Sequence, residues 1–335
     1  MRTSTQQPRP APATLTDLLS AALARRKPLI DSGRTSAFRA FSGAADGLDG
    51  VFVDVYNASP PDGNGGATLI VYEGRPPHDF DPPAAAAAVL HALRPLGVQA
   101  VYFKPFAKDR SKLGGELPPV VTDPQPLAGH PLPESLLITE IDCTLEVRLF
   151  DGLSTGLFLD QRDNREWVSQ WCRDRAKTST QQPRMLNTFA YTCAFSVAAA
   201  QGGAATTSVD VSPRYLDWGK RNFSHNGFDD GVESGEHRFA RMDTFEFFNY
   251  ARRKQLTFDL IILDPPSFAA GSKKKGIRPF SSVEDYARVV REAAALLTKQ
   301  GVILASTNTA ELCRPGRLEH EITKGLGRDP RGLKL

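Results

Sequence analysis

The chain has 335 residues, enough for two domains that each bury a core of their own. Its 41% apolar and 24% charged residues are ordinary for a soluble globular protein, and its formal net charge of +3 permits an RNA partner without demanding one. No apolar run reaches the length that spans a bilayer; Cys143, Cys172, Cys193 and Cys313 are scattered without a Cys-x-x-Cys pair, and the histidines are equally dispersed, so the expectation is a reducing compartment with no disulfide framework, no metal site and no membrane.

The first sixteen residues carry Arg2 and Arg9 but no acid, which suits a disordered start of a cytoplasmic protein; an organellar import segment is the alternative. The segment T-S-T-Q-Q-P-R occurs at Thr3–Arg9 and again at Thr178–Arg184, and we have no physical account of the duplication. Leu15, Leu18, Leu19, Ala22 and Leu23 share one face of a helix predicted over Leu15–Arg26, ahead of Pro28. Residues 1–34 therefore read as a flexible start and a helix.

Short strands are predicted at Ser36–Phe41, Val51–Tyr56 and Ala67–Tyr72, then a helix at Pro82–Leu93 and a strand at Ala100–Phe103. This makes a small α+β domain over residues 35–135, expected to dock substrate or act as scaffold. Ala107–Pro133 is rich in Pro and Gly and reads as a linker or long loop, with Lys104, Lys108, Arg110 and Lys112 forming a basic cluster that reads as a solvated loop, an RNA contact being the alternative.

Leu136–Glu140 and Thr144–Leu149 alternate as a hairpin would. In D-G-L-S-T-G-L-F-L-D-Q-R-D-N-R, Asp151–Arg165, the triplet Leu157–Leu159 is predicted as a strand and a helix starts near Asp160. A helix start favours acids, which accounts for Asp160 and Asp163 but leaves Gln161, Arg162 and Arg165 as candidate substrate contacts.

From Met185 strand and helix alternate, the pattern of a doubly wound parallel sheet. Strands fit Met185–Phe189, Thr206–Val209, Arg238–Met242, Phe258–Leu263 and Val302–Ser306; helices fit Ala194–Gln201, Arg214–His225, Thr244–Arg253 and Val283–Leu297. Residues 136–335 are therefore expected to be one α/β, Rossmann-like domain. The run F-D-L-I-I-L-D-P-P-S-F, Phe258–Phe268, is a buried strand stopped by Asp264-Pro265-Pro266, which holds a carboxylate at the carboxyl end of a central strand, where such sheets bind ligands. Asp210, ending the second strand, is positioned to accept from ribose hydroxyls, since Ser212 and Pro213 already supply a helix start. Asp243 is either an adenine contact or a helix N-cap.

In sequence these motifs resemble a class I S-adenosylmethionine-dependent methyltransferase. More narrowly they are similar to the family of the bacterial 23S ribosomal RNA large-subunit cytosine-5 methyltransferase. The residues that carry this are Asp46–Tyr56, Thr155–Arg165, Leu186–Thr192, Ser208–Ser212, Asn222–Gly227, Asp264–Phe268 and Ser306–Ala310. The resemblance implies S-adenosylmethionine as cofactor and RNA, ribosomal in the resembled family, as partner. It implies that Asn187, Thr188, Phe189, Ala190, Tyr191 and Thr192 wrap the methionine and ribose, that Asp210 with Val211 holds the ribose, that Asp243 with Thr244 holds the adenine, and that Asp264 faces the reacting centre. It implies that the first half is the family's RNA-associated domain, that the amino-terminal PUA domain common among relatives is absent, and that the sheet ends short of the relatives' final hairpin.

Two departures bear on chemistry. The family's T-G-G-F is Thr192-Cys193-Ala194-Phe195 here, and the nucleophilic cysteine of its S-C-S is replaced in Ser306-Thr307-Asn308. Asp264, Pro265, Pro266 and Phe268 are similar to the (D/N)-P-P-(Y/F) motif of amino-methylating enzymes, in which carboxylate and prolyl carbonyl accept from a base nitrogen and the aromatic ring stacks on the base. Lys273, Lys274 and Lys275 follow, a basic loop suited to phosphate. A nucleotide-binding oxidoreductase is disfavoured, because no G-x-G-x-x-G follows a strand. A non-catalytic RNA-binding relative is the remaining rival.

Overall fold

The computed structural model describes residues 14–58, 63–107, 117–271 and 278–327. The chain forms two compact units: residues up to Ile141 with Glu146–Leu159, and Asp142–Leu145 with residues from Asp160 onward.

In the first unit α1 (Leu15–Asp31) precedes β1 (Phe38–Ser42), β2 (Val51–Tyr56), β3 (Gly65–Tyr72), α2 (Pro82–Leu93), β4 (Val98–Phe106) and β5 (Ala128–Gly129). The strands form one sheet in the order β1-β2-β3-β4-β5, antiparallel except for the β3–β4 pair. α1 continues through Pro28, beyond the predicted end. Leu29 and Ile30 pack with Leu19 and Ala22 on the same core, so burial outweighs the lost N–H donor. β5 lies in the stretch read as linker and pairs with β4.

A two-stranded hairpin, β6 (Leu136–Glu140) and β7 (Cys143–Val147), contains the boundary between the units. The strand expected at Leu157–Leu159 does not form. Leu159 instead opens a 3-10 turn, Leu159–Gln161, which leads into α3 (Arg162–Thr178).

The second unit continues with β8 (Arg184–Thr188), α4 (Ala194–Gln201), β9 (Ala205–Asp210), α5 (Pro213–Ser224), α6 (Asp229–Ser234), β10 (His237–Arg241), α7 (Thr244–Arg253), β11 (Phe258–Leu263), β12 (Phe268–Ala269), β13 (Phe280–Ser281), α8 (Ser282–Ala294), β14 (Leu297–Ala305) and α9 (Arg317–Leu326). Its sheet runs β10-β9-β8-β11-β14 with every pair parallel, as expected for a doubly wound α/β fold. Alternate strand residues face opposite layers. Leu186, Ile261 and Leu263 pack with α7 and α8, while Met185, Leu260 and Ile262 pack with Val168 and Cys172 of α3 and Phe195 and Ala199 of α4. The predicted helix Val283–Leu297 ends three residues early, because Leu297 already begins β14. α6 and α9 have no counterpart among the expected elements. Among the described residues no helix is long and apolar enough to cross a membrane.

Candidate active site

The strand order reverses between β8 and β11, so the chain leaves their carboxyl ends in opposite directions and opens a crevice there. Asn187 and Thr188 of β8 pair with Ile262 and Leu263 of β11. Phe189 and Asp264, the next residues, therefore emerge side by side.

On the β8 side the loop Phe189–Cys193 leads into α4. Phe189, Tyr191 and Cys193 have φ of 53°, 49° and 63°. Left-handed backbone at a residue with a Cβ costs on the order of 1 kcal/mol or more and persists only where neighbours enforce it. Here the Ala190 N–H donates to Val209 O at 2.9 Å, the Tyr191 N–H to Asp210 Oδ2 at 2.9 Å and the Cys193 N–H to Ala190 O at 2.8 Å. The Asn222 amide donates to Thr192 O at 2.9 Å.

The same hydrogen bonds assign work to the sequence candidates. Asn187 is buried and donates to Ser196 Oγ at 3.0 Å, and Thr188 is buried and donates to Ile262 O at 2.7 Å, so both side chains brace the sheet. Ala190 and Thr192 are buried; Tyr191 packs edge-on against Tyr215 with ring centroids 4.5 Å apart. Asp210 accepts from the Tyr191 and Ser212 N–H groups, at 2.9 and 2.8 Å. Burial pushes its carboxyl up, against the pull of those N–H donors. Val211 beside it is exposed. Asp243 caps α7 through Oδ1, which accepts from the Phe245 and Glu246 N–H groups, and Thr244 is buried in the first turn.

The Cys193 side chain, at the position where the resembled family has glycine, faces α5. Cys193 is fully buried, and its Sγ sits against Gly219 of α5. Burial pushes its thiol up to about 12, so it stays protonated and unreactive.

On the β11 side the Asp264 carboxylate accepts at Oδ1 from Ser306 Oγ at 2.6 Å and from Gln161 Nε2 at 3.5 Å. Gln161 is in turn held by Asn164 Nδ2, 2.7 Å from its Oε1, and the Ser306 carbonyl accepts from Tyr286 at 2.7 Å. Oδ2 of Asp264 has no hydrogen-bond partner among the described residues. Burial pushes the Asp264 carboxyl up; Ser306 and Arg165 pull it down, and Asp160 adds to the rise. Pro265 is buried, the Pro266 carbonyl accepts from Ser282 Oγ at 2.8 Å, and Phe268 stands 64% exposed on the short β12–β13 pair. Arg162 pairs with Asp163, whereas Arg165 is buried with its guanidinium over the Phe195 ring. Lys273, Lys274 and Lys275 lie outside the described residues.

Tyr215 and Gly219 were not singled out from the sequence, and Asn164, Asn222 and Ser306 were named there without a site role. The motifs Asn222–Gly227 and Ser306–Ala310 were visible in it, but without the sheet pairing they named no partner.

Residues 122–325 match the family model described as S-adenosylmethionine-dependent methyltransferase. Bacillus subtilis (strain 168) YwbD, provisionally named a ribosomal RNA large subunit methyltransferase, is 39% identical over 88% of this chain and 66% of its own length. The ribosomal RNA large subunit methyltransferase K/L of Hahella chejuensis is 34% identical over 72% of this chain and 30% of its own. The crystal structure of SMU.776, described as a candidate methyltransferase and complexed with SAH, superposes with a TM-score of 0.74 at 32% identity, over 94% of this chain and 72% of that one. The chain thus spans two thirds or less of the length of these curated relatives.

Proposed function

The chain belongs to the S-adenosylmethionine-dependent methyltransferase family, and from that premise we propose that it methylates a base nitrogen of large-subunit ribosomal RNA. The RNA acceptor is drawn from the names of the relatives, and it fits a cytoplasmic reaction. The observation that carries the chemistry is Asp264 at the carboxyl end of β11, one carboxylate oxygen fixed by Ser306 and Gln161 and the other without a partner among the described residues.

The residues on the β8 side fit the cofactor. The strained loop, the carboxylate of Asp210 that braces it, and the capping carboxylate of Asp243 stand at the ends of β8, β9 and β10 in turn, with Val211 exposed between them. In this reading Phe189–Thr192, carried on Asn187 and Thr188 at the end of β8, form the loop that wraps the methionine and ribose, Asp210 and Val211 hold the ribose, and Asp243 with Thr244 holds the adenine. When bound, S-adenosylmethionine supplies an electrophilic methyl group. Asp264 Oδ2 and the Pro265 and Pro266 backbone hold the acceptor base, Phe268 stacks on it, and Arg162 and Lys273–Lys275 meet the RNA backbone. Arg165 and Gln161 act behind them, keeping the Asp264 carboxylate charged and oriented.

Cytosine-5 chemistry needs a thiolate that adds to carbon-6 of the base. Thr307 stands where the resembled family has its cysteine, and Cys313 is exposed with its Sγ turned to the Thr307 carbonyl, 3.6 Å away. Nitrogen methylation, which needs only positioning, is therefore the reading adopted. Calorimetric titration with S-adenosylmethionine tests the cofactor half: saturable binding, weakened more than tenfold by Asp210→Ala, is expected. Absence of binding by the folded protein would favour the non-catalytic RNA-binding relative.

A further inference from the structure

One stripe of α5 touches the cofactor loop at three consecutive residues. Tyr215 packs on Tyr191, Gly219 on Cys193, and Asn222 donates to Thr192 O. Positions i, i+4 and i+7 lie on one helix face, so a rigid element backs the whole strained segment. We propose that Tyr215, Gly219 and Asn222 are positioning residues that hold this loop in its cofactor-binding form, with Gly219 making room for a non-glycine residue at position 193.

The fit at Gly219 is close. A Cβ built there would overlap Cys193 Sγ and stand 3.0 Å from Cys193 Cβ and 3.5 Å from Phe239. The thiol has little freedom to give way. Cys193 is wholly buried, its φ is 63°, its N–H is bonded to Ala190 O, and its carbonyl accepts from Val197 as α4 begins. Displacing it moves the loop and the start of α4 together. The Asn222 amide supplies the second restraint, donating to the carbonyl of buried Thr192. The absence of glycine at 193 is thus matched by its presence at 219: the bulk that family glycines keep away from the cofactor points into the helix behind the loop.

This inference rests on the cofactor reading above, and the wild-type titration separates the two: if the wild-type protein does not bind S-adenosylmethionine, that reading fails before this one is reached. Given wild-type binding, Gly219→Ala is expected to raise the Kd for S-adenosylmethionine at least tenfold in protein that melts cooperatively, and Cys193→Gly added to it is expected to bring the Kd back to within threefold of wild type. A Kd unchanged by Gly219→Ala, or a loss that Cys193→Gly does not relieve, overturns the proposal. Should Gly219→Ala fail to fold, the double variant must fold and bind; its failure overturns the proposal as well. A merely structural glycine would lower the melting temperature without this rescue of affinity.

Discussion

Asp264 is held between two opposing influences. Burial raises its carboxyl pKa, while the Ser306 hydroxyl and the charge of Arg165 lower it; Asp160 and the buried Tyr286 phenol are the other titrating groups that face it. If the ionised carboxylate orients the base, the acid limb of the rate–pH profile lies above the ordinary aspartate value. Ser306→Ala removes a bond to the charged form, so that limb moves to higher pH, with kcat falling about tenfold or more and S-adenosylmethionine affinity little changed. A limb that stays in place would contradict this role for Ser306. The stability consequence has the opposite sign from a usual salt-bridged acid. Because the folded pKa lies above the unfolded one, the stability Asp264 contributes is full below the unfolded pKa and is lost as pH rises through the folded pKa. Asp264→Asn should therefore stop methyl transfer yet raise the melting temperature at pH 7, by ~2–4 °C for each kcal/mol recovered. That gain should vanish in acid. Asp264 was legible in the sequence because two prolines end its strand. Ser306 was not, because a serine 42 residues away meets it only through the β11–β14 pairing.

Among the elements, β11 was read from sequence because burial makes it a nearly continuous apolar run, and the other parallel strands from their alternation with helices. What escaped reading depended on tertiary contact. α1 passes Pro28 because the core rewards Leu29 and Ile30, and Leu157–Leu159 is apolar yet forms no strand because no ladder receives it. α9 was missed although its Leu318, Ile322 and Leu326 share a face at helical spacing. It lies against α8 at Gly325, where an added Cβ would come within 2.5 Å of Ala287 O and 2.8 Å of Val290 Cβ. Gly325→Ala is accordingly expected to cost ~1–3 kcal/mol, read as a lower urea midpoint at unchanged m-value. An unchanged midpoint would mean that α9 packs more loosely than this.

Across the whole molecule, the proposed functional residues fall within the second unit, at the ends of β8, β9, β10, β11 and β14, on β12 and at the start of α3. The first unit adds a sheet of its own with an aliphatic and aromatic buried cluster that runs from Leu19 to Val101. Family and cofactor followed from motif order, because Leu186–Thr192, Ser208–Ser212, Asp264–Phe268 and Ser306–Ala310 each sit where a parallel strand ends and the fold fixes which ends are neighbours. The acceptor atom did not follow, since it depends on how one carboxylate oxygen and one exposed ring meet a base. The central claim is therefore tested most directly by incubating the purified protein with methyl-labelled S-adenosylmethionine and protein-free bacterial large-subunit ribosomal RNA, then identifying the labelled nucleoside by mass spectrometry. The account predicts a single base methylated on nitrogen, and no label with Asp264→Asn. Label on carbon-5 of cytosine, or none from wild-type protein that binds the cofactor, would contradict it.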